Sequence, residues 1–256
     1  MKENFKISSI VIAKNEEENI AHCIFSQLEV VDDIVVIVDE NSTDKTLEIV
    51  QSFEKINCII AKWQGYSKTK QLALEQTKYN WVLWIDADEK ITDELKDELQ
   101  NIKETKPKYV AYSIPRKACF LGKWIKHSGW YPGRVTRLFN KTEVHFSDSE
   151  VHEHLVIKGE VGILKSDLEH FTDPTINHYF KKFNKYTTLA ASELFNKNTK
   201  FKLSDILIRP PFIFIKMYIL RKGFLDGLHG LILACFSTLY VFTKYSKLWE
   251  LENRNK

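Results

Sequence analysis

The chain has 256 residues, of which 44% are hydrophobic and 12% aromatic, enough to bury one sizeable core plus a smaller appendage. A charged fraction of 28% excludes extensive disorder. Four scattered cysteines with no CxxC pair exclude a disulfide or zinc framework and fit core residues of a reducing compartment. The net charge of +3 is uneven: residues 178–256 carry 14 Lys and Arg against 5 Asp and Glu, so residues 1–177 are net acidic. A basic C-terminal part on an acidic body points to an anionic partner such as a membrane surface or nucleic acid.

The apolar run Ile10-Val11-Ile12-Ala13 is too short for the core of a secretion signal. Ile7 to Ala13 reads instead as a first strand, followed by Lys14-Asn15-Glu16-Glu17-Glu18 and a helix to about Gln27. The acids suit the first turn of that helix, while Asn15 sits where a strand's carboxyl end meets a ligand. Ile34 to Val38 is a second strand. It ends at Asp39, with Ser42 or Thr43 expected to cap a helix to about Phe53. Asn57 to Ala61 is a third strand, and Lys68 to Gln76 a helix with Lys68 and Lys70 near its start.

Trp81 to Ile85 is a fourth strand, five apolar residues in a row, as expected in a parallel sheet buried on both faces. It stops at Asp86-Ala87-Asp88-Glu89. An extended backbone points Asp86 and Asp88 to one side. Two hard oxygen donors there suit Mg²⁺ or Mn²⁺, and through the metal a phosphate; the plain alternative is a solvated acidic turn. Asp93 to Lys103 is an amphipathic helix with Thr92 as cap. This alternation of strands and helices predicts an α/β fold with a parallel sheet. Right-handed crossovers bring Asn15, Asp39 and Asp86/Asp88 to one edge, where open α/β sheets bind ligands.

From Tyr109 the pattern changes. Tyr109 to Pro115 is expected as a strand, Phe120 to Pro132 as an aromatic loop, and Arg134 to Phe139 as a strand carrying Arg134 and Arg137. Glu150-Val151-His152-Glu153-His154 is dense in acid and imidazole groups. Its HExH spacing is not the HExxH of a zinc protease; an edge strand with exposed charges is the alternative. Ile176 to Asn196 is a basic, aromatic helix. Ile206 to Leu220 is apolar but broken by Arg209-Pro210-Pro211. The apolar run within Gly223 to Lys247 falls short of the roughly 20 residues needed to span a bilayer. These helices are expected to lie in a membrane interface, or else to pack on the core or on a second subunit. Long aliphatic stretches between the basic residues suit lipid better than nucleic acid.

Lys14-Asn15-Glu16-Glu17, Val38-Asp39-Glu40-Asn41-Ser42-Thr43-Asp44 and Asp86-Ala87-Asp88-Glu89, in that order, resemble the family 2 glycosyltransferases, inverting enzymes of GT-A fold. Arg137-Leu138-Phe139, Val151-His152-Glu153 and Gly223-Phe224-Leu225-Asp226-Gly227 look like the branch of bacterial lipopolysaccharide inner-core β-glucosyltransferases. The resemblance implies a Rossmann-like nucleotide-sugar transferase domain with a mixed sheet over residues 1–175. A nucleotide-binding half (1–105) would precede an acceptor half (106–175), with a basic, membrane-associating helical region over 176–256. It implies a UDP-sugar donor, a divalent metal (Mn²⁺ or Mg²⁺) and a glycolipid or lipopolysaccharide acceptor. The expected location is cytoplasmic, peripheral on the inner face of the cytoplasmic membrane, with oligomeric state left open. Asp39 would bind the uracil with Asn15 and Glu16 nearby. Asp86 would contact the ribose or sugar and Asp88 hold the metal. Glu153 would be the general base, with His152 as a diphosphate or metal contact. Lys70 stands where the family usually has arginine, and Glu40 where a small residue is common. Two rivals remain on sequence: a haloacid-dehalogenase-type phosphatase, which also ends a strand in DxD, and a non-catalytic membrane-binding module.

Overall fold

A computed structural model describes residues 5–146 and 155–254, except the side chains of Tyr66, Ser67 and Phe146. The Ile/Val-rich stretches become β1 (Ile7–Ala13) and β2 (Asp33–Asp39), each followed by a short helix, α1 (Ile20–Phe25) and α2 (Thr46–Gln51). β3 (Ile56–Ala61), α3 (Tyr66–Glu75), β4 (Trp81–Trp84), β5 (Glu89–Ile91) and α4 (Asp93–Thr105) complete the alternating part. Thr92 caps α4 as expected, its hydroxyl accepting from Leu95 N–H. Then come β6 (Ala111–Ile114), β7 (Arg116–Phe120), β8 (Lys123–Trp124), β9 (Val135–Asn140), β10 (Val144–Phe146), β11 (Leu155–Ile157), β12 (Val161–Ile163) and β13 (Leu168–Asp173). The helical end comprises α5 (Ile176–Asn196), α6 (Leu203–Leu207), α7 (Arg209–Phe214), a π-helical turn (Ile215–Leu220), a 3₁₀ turn (Gly223–Asp226) and α8 (Leu228–Arg254).

The chain forms two compact units. The first holds the residues up to Arg116 together with Arg134–Phe171. Its seven-stranded sheet runs β12-β6-β9-β4-β1-β2-β3. β4, β1, β2 and β3 are parallel, whereas β9 is antiparallel to both β4 and β6. The sheet is therefore mixed. Alternate residues of β1 and β2 face opposite cores. Val11, Val36 and Val38 pack with Ile24, Leu95 and Leu99 of the helices on one face. Ile10, Val35 and Ile37 pack with Ala73 and Leu74 of α3 on the other. Burial on both faces explains why these strands lack polar alternation. Parallel order puts the ends of β1, β2 and β4 on one edge, β1 in the middle.

The second unit holds Lys117–Gly133 and the residues from Thr172 onward. The expected loop at 120–132 includes a hairpin instead: β7 pairs with β8 across Leu121 and Gly122, both at positive φ. That backbone matches the twist of the flanking strands, and such short strands leave no periodic signal. α5 lies against α8, where Tyr179, Phe180 and Phe183 meet Phe236 and Tyr240. Burial pushes the Tyr179 phenol up to about 12. Asp226, 3% exposed, accepts the backbone N–H groups of Lys126 and His127 and meets His127 Nδ1. A Cβ on Gly230 would lie 1.9 Å from the Gly223 carbonyl oxygen, so α8 can approach the 3₁₀ turn only with glycine there. Among the described residues, no helix is long and apolar enough to cross a membrane.

Candidate active site

The loops after β1 and β2 are braced against each other by short polar side chains. Asn15 takes the left-handed conformation that asparagine tolerates (φ 54°), and its Oδ1 accepts the Thr43 N–H at 2.8 Å. Glu16 N–H donates to Thr46 Oγ1, and Glu17 N–H to Asp44. The expected Ser42 or Thr43 cap is not used. The N-cap position is Lys45, without a side-chain cap bond, and Asp44 accepts Thr46 N–H and Oγ–H instead. Thr43 is already committed to Asn15, and Ser42 N–H turns back to the Asp39 carbonyl.

Asp39 ends β2 almost fully buried. Its Oδ1 accepts Asn41 N–H at 2.9 Å and Asn41 Nδ2 at 3.1 Å; its Oδ2 accepts Lys14 Nζ at 2.8 Å. Burial works against the carboxylate, but Lys14 and the Asn41 donors outweigh it and hold Asp39 below the ordinary carboxylate range. The loop pair thus fixes a negative charge whose side chain is 1% exposed and paired with Lys14.

The acidic stretch after β4 is not extended. Glu89 N–H donates to the Asp86 carbonyl at 2.9 Å, and Glu89 Oε2 accepts the Asp86 N–H at 3.0 Å, closing a turn. The side chains of Asp86 and Asp88 consequently serve different partners. Asp86 accepts Trp84 Nε1–H at 3.0 Å and is paired with Arg137 of β9. Asp88 Oδ2 lies 3.3 Å from His170 Nε2, because β13 pairs antiparallel with β5 and sets His170 opposite Glu89.

Arg137 is 3% exposed and bonds both carboxylates, with Nη2 2.7 Å from Glu89 Oε1. Its guanidinium lies over the Trp84 ring at 4.3 Å, and the Lys70 ammonium lies over the same ring at 3.6 Å. Burial pushes Asp86 up, but Arg137 and Lys70 outweigh it, and its carboxyl sits low. Glu89 goes the other way, raised by burial and by Asp86 despite Arg137. Beneath the turn, Cys23 is a core thiol lifted well above its usual range by burial and by Glu89, Asp88 and Asp86.

Asn15 and Glu16 thus follow β1 and Asp39 ends β2, while Asp86 and Asp88 follow β4 on the other side of β1, with Lys70 of α3 over Trp84. With neighbouring strands about 4.8 Å apart, the ends of β2 and β4 lie roughly 10 Å from each other. His152 and Glu153 lie outside the described residues. No role follows from the sequence for Trp84, Glu89 or His170, and Arg137 enters there only as a strand residue and within the Arg137-Leu138-Phe139 motif. An arginine beside Leu138 and Phe139 was the one available signal.

Among the described residues, no three His, Cys, Asp or Glu side chains gather to hold a metal unaided. Asp88 and His170 nonetheless make a donor pair of carboxylate oxygen and imidazole nitrogen, each partly exposed. The Asp88 carboxylate fits Mn²⁺ or Mg²⁺, which bind through one or two carboxylates and take phosphate and water for the rest, whereas the imidazole is a softer donor than Mg²⁺ takes.

Residues 8–169 match the family model for glycosyl transferase family 2. The lipopolysaccharide core biosynthesis glycosyltransferase LpsC of Rhizobium meliloti is 29% identical, over 95% of this chain and 92% of that protein. An "uncharacterized glycosyltransferase" of Rickettsia bellii is 30% identical, over 96% of this chain and 87% of that protein. Among solved structures, S. aureus TarS 1-349 in complex with UDP-GlcNAc superposes with a TM-score of 0.47 at 17% identity, over 95% of this chain and 92% of that one.

Proposed function

Because the chain belongs to glycosyl transferase family 2, we propose that it moves a hexose, glucose first, from a UDP-sugar to a hydroxyl of a lipopolysaccharide core or related glycolipid, with inversion at the anomeric carbon. Membership sets aside the phosphatase and the non-catalytic module. The observation that carries the reading is that three neighbouring strand ends bring polar groups to one edge: Asn15 after β1, Asp39 at the end of β2, and Asp88 with His170 after β4. In this reading Asp39, ionised and fixed, accepts the uracil N–H, with Asn15 and Glu16 framing it. Asp86, held by Arg137 and Trp84, presents its exposed edge to the ribose or sugar.

Inversion is a single in-line displacement, needing a base for the acceptor's proton and positive charge for the departing diphosphate. Lys70 and Arg137 are cations fixed on Trp84 at the same strand end. Asp88 and His170 would hold the divalent metal, which when bound supplies further positive charge to the leaving group. Glu153 takes the proton from the acceptor hydroxyl, with His152 beside it as a diphosphate contact. A glutamate with an ordinary pKa of about 4.3 is ionised and ready at neutral pH.

The lipopolysaccharide acceptor rests on the likeness to LpsC, a lipopolysaccharide core biosynthesis glycosyltransferase. The catalytic domain spans 1–175, and 176–256 is the region that meets the inner face of the cytoplasmic membrane. Exposed Leu207, Ile208, Phe212, Ile219 and Leu220, interspersed with Arg209, Lys216, Arg221 and Lys222, support that contact. A panel of nucleotide sugars, assayed for nucleoside diphosphate release with and without Mn²⁺, tests the donor. UDP-glucose turnover that needs Mn²⁺ is expected; release from no uridine-linked sugar refutes the reading.

A further inference from the structure

Trp84 ends β4 and touches charges of both signs. In the antiparallel pairing of β4 with β9, the position opposite Trp84 is Arg137, one step beyond the Leu83–Leu138 pair. Directly opposite residues share a sheet face, and the Arg137 guanidinium lies 4.3 Å from the centre of the Trp84 ring. A second cation comes from α3. Ala73 and Leu74 of that helix pack on the same face of the sheet as Trp84. Lys70 stands one turn earlier on the same side of the helix, and its ammonium lies 3.6 Å from the same ring centre. The indole Nε1–H donates to Asp86 Oδ1 at 3.0 Å.

An aromatic face attracts a cation through its quadrupole and carries no net charge. Trp84 therefore fixes the Lys70 ammonium without cancelling what it offers to an anion, as a carboxylate in the same place would. Arg137 is balanced by Asp86 and Glu89, so Lys70 is the further positive charge that the ring brings to this strand end. Lys70 is 4% exposed; it acts on a ligand beside β4 through its field, which buried surroundings screen little. That field already reaches the site, because Arg137 and Lys70 together hold the Asp86 carboxyl low against burial. A charge placed before the ligand arrives needs no rearrangement as negative charge develops on a leaving group.

We propose that Trp84 is a positioning residue for the donor's diphosphate: its ring face holds the Lys70 charge at the strand end, and its N–H fixes the Asp86 carboxylate beside it. The proposal deepens the UDP-sugar reading above and rests on it.

Full-length wild type, Trp84→Phe, Trp84→Leu, Lys70→Met and the Trp84→Leu/Lys70→Met double variant are titrated calorimetrically with uridine and with UDP at one fixed Mn²⁺ concentration. Circular-dichroism melts are measured alongside. Trp84→Phe keeps a ring face and loses the N–H; Trp84→Leu loses both. The expected result is that Trp84→Leu weakens UDP about tenfold or more and uridine less than about twofold, while Trp84→Phe holds UDP within about threefold of wild type. Lys70→Met shows the same selective loss, and the double variant loses no more than the larger single loss, because the tryptophan acts through the lysine. UDP bound by Trp84→Leu as by wild type, Trp84→Phe as weak as Trp84→Leu, or equal losses for uridine and UDP overturns the proposal and leaves the donor reading standing. Where Trp84→Leu does not fold, the other two single variants decide: UDP affinity kept by Lys70→Met, or lost by Trp84→Phe, overturns the proposal. A wild type that binds neither uridine nor UDP refutes the donor reading and the proposal with it.

Discussion

Arg137 Nη2 sits 2.7 Å from Glu89 Oε1, and the two side chains are 4% and 0% exposed. Two buried charges of opposite sign hold the turn that carries Asp86 and Asp88 against β9. Removing one partner strands the other, which typically costs about 3–5 kcal/mol. Arg137→Met should therefore lower unfolding free energy by about that much in urea, and adding Glu89→Gln should recover part of it. A loss under about 1 kcal/mol for Arg137→Met would mean that the pair does not anchor the turn.

Asp39 is held below the ordinary carboxylate range. Its folded pKa lies under the unfolded value of about 3.9, so its stabilising contribution is complete above that value and is lost as pH falls through the folded pKa. Asp44, held low by Thr46 and Glu17 donors against burial, acts in the same direction. Asp39→Asn should be less stable than wild type at neutral pH, with the gap in urea midpoint narrowing by about pH 3. A gap of the same size at both pH values would show that Asp39 is not ionised by virtue of its partners.

Glu153→Gln should bind UDP-glucose as the wild type does while losing turnover by about 10²–10⁴, the usual cost of a missing general base. Steady-state transfer and calorimetric donor affinity separate the two effects. Transfer near the wild-type rate would move the base to another acid such as Glu150 or Asp148.

Much of the first unit was legible because burial on both sheet faces favours apolar runs such as Ile10 to Ala13 and Ile34 to Val38. Thr92 was legible as a cap because capping is local chemistry. The same locality fails at Asp86-Ala87-Asp88-Glu89. Its turn is closed by Glu89 and held by Arg137, 48 residues away, so an extended reading of DxD had nothing nearby to contradict it. His170 reaches Asp88 only through antiparallel pairing with a strand far back in the chain. Lys45 displaces Ser42 and Thr43 at the cap because Asn15, from another loop, already holds Thr43. Contacts across strand ends depend on topology, and single-sequence patterns do not carry them.

Whether Asp88 holds a metal on a uridine diphosphate sugar, as proposed, is tested most directly by calorimetric titration of UDP-glucose into wild type and Asp88→Asn, with Mn²⁺ or with EDTA. Asp88 is partly exposed, so the asparagine keeps the fold. EDTA should weaken wild-type binding at least about tenfold, and Asp88→Asn should bind weakly whether or not Mn²⁺ is present. Wild-type affinity that EDTA leaves unchanged, or a variant that binds as tightly as wild type in Mn²⁺, would contradict that role for Asp88.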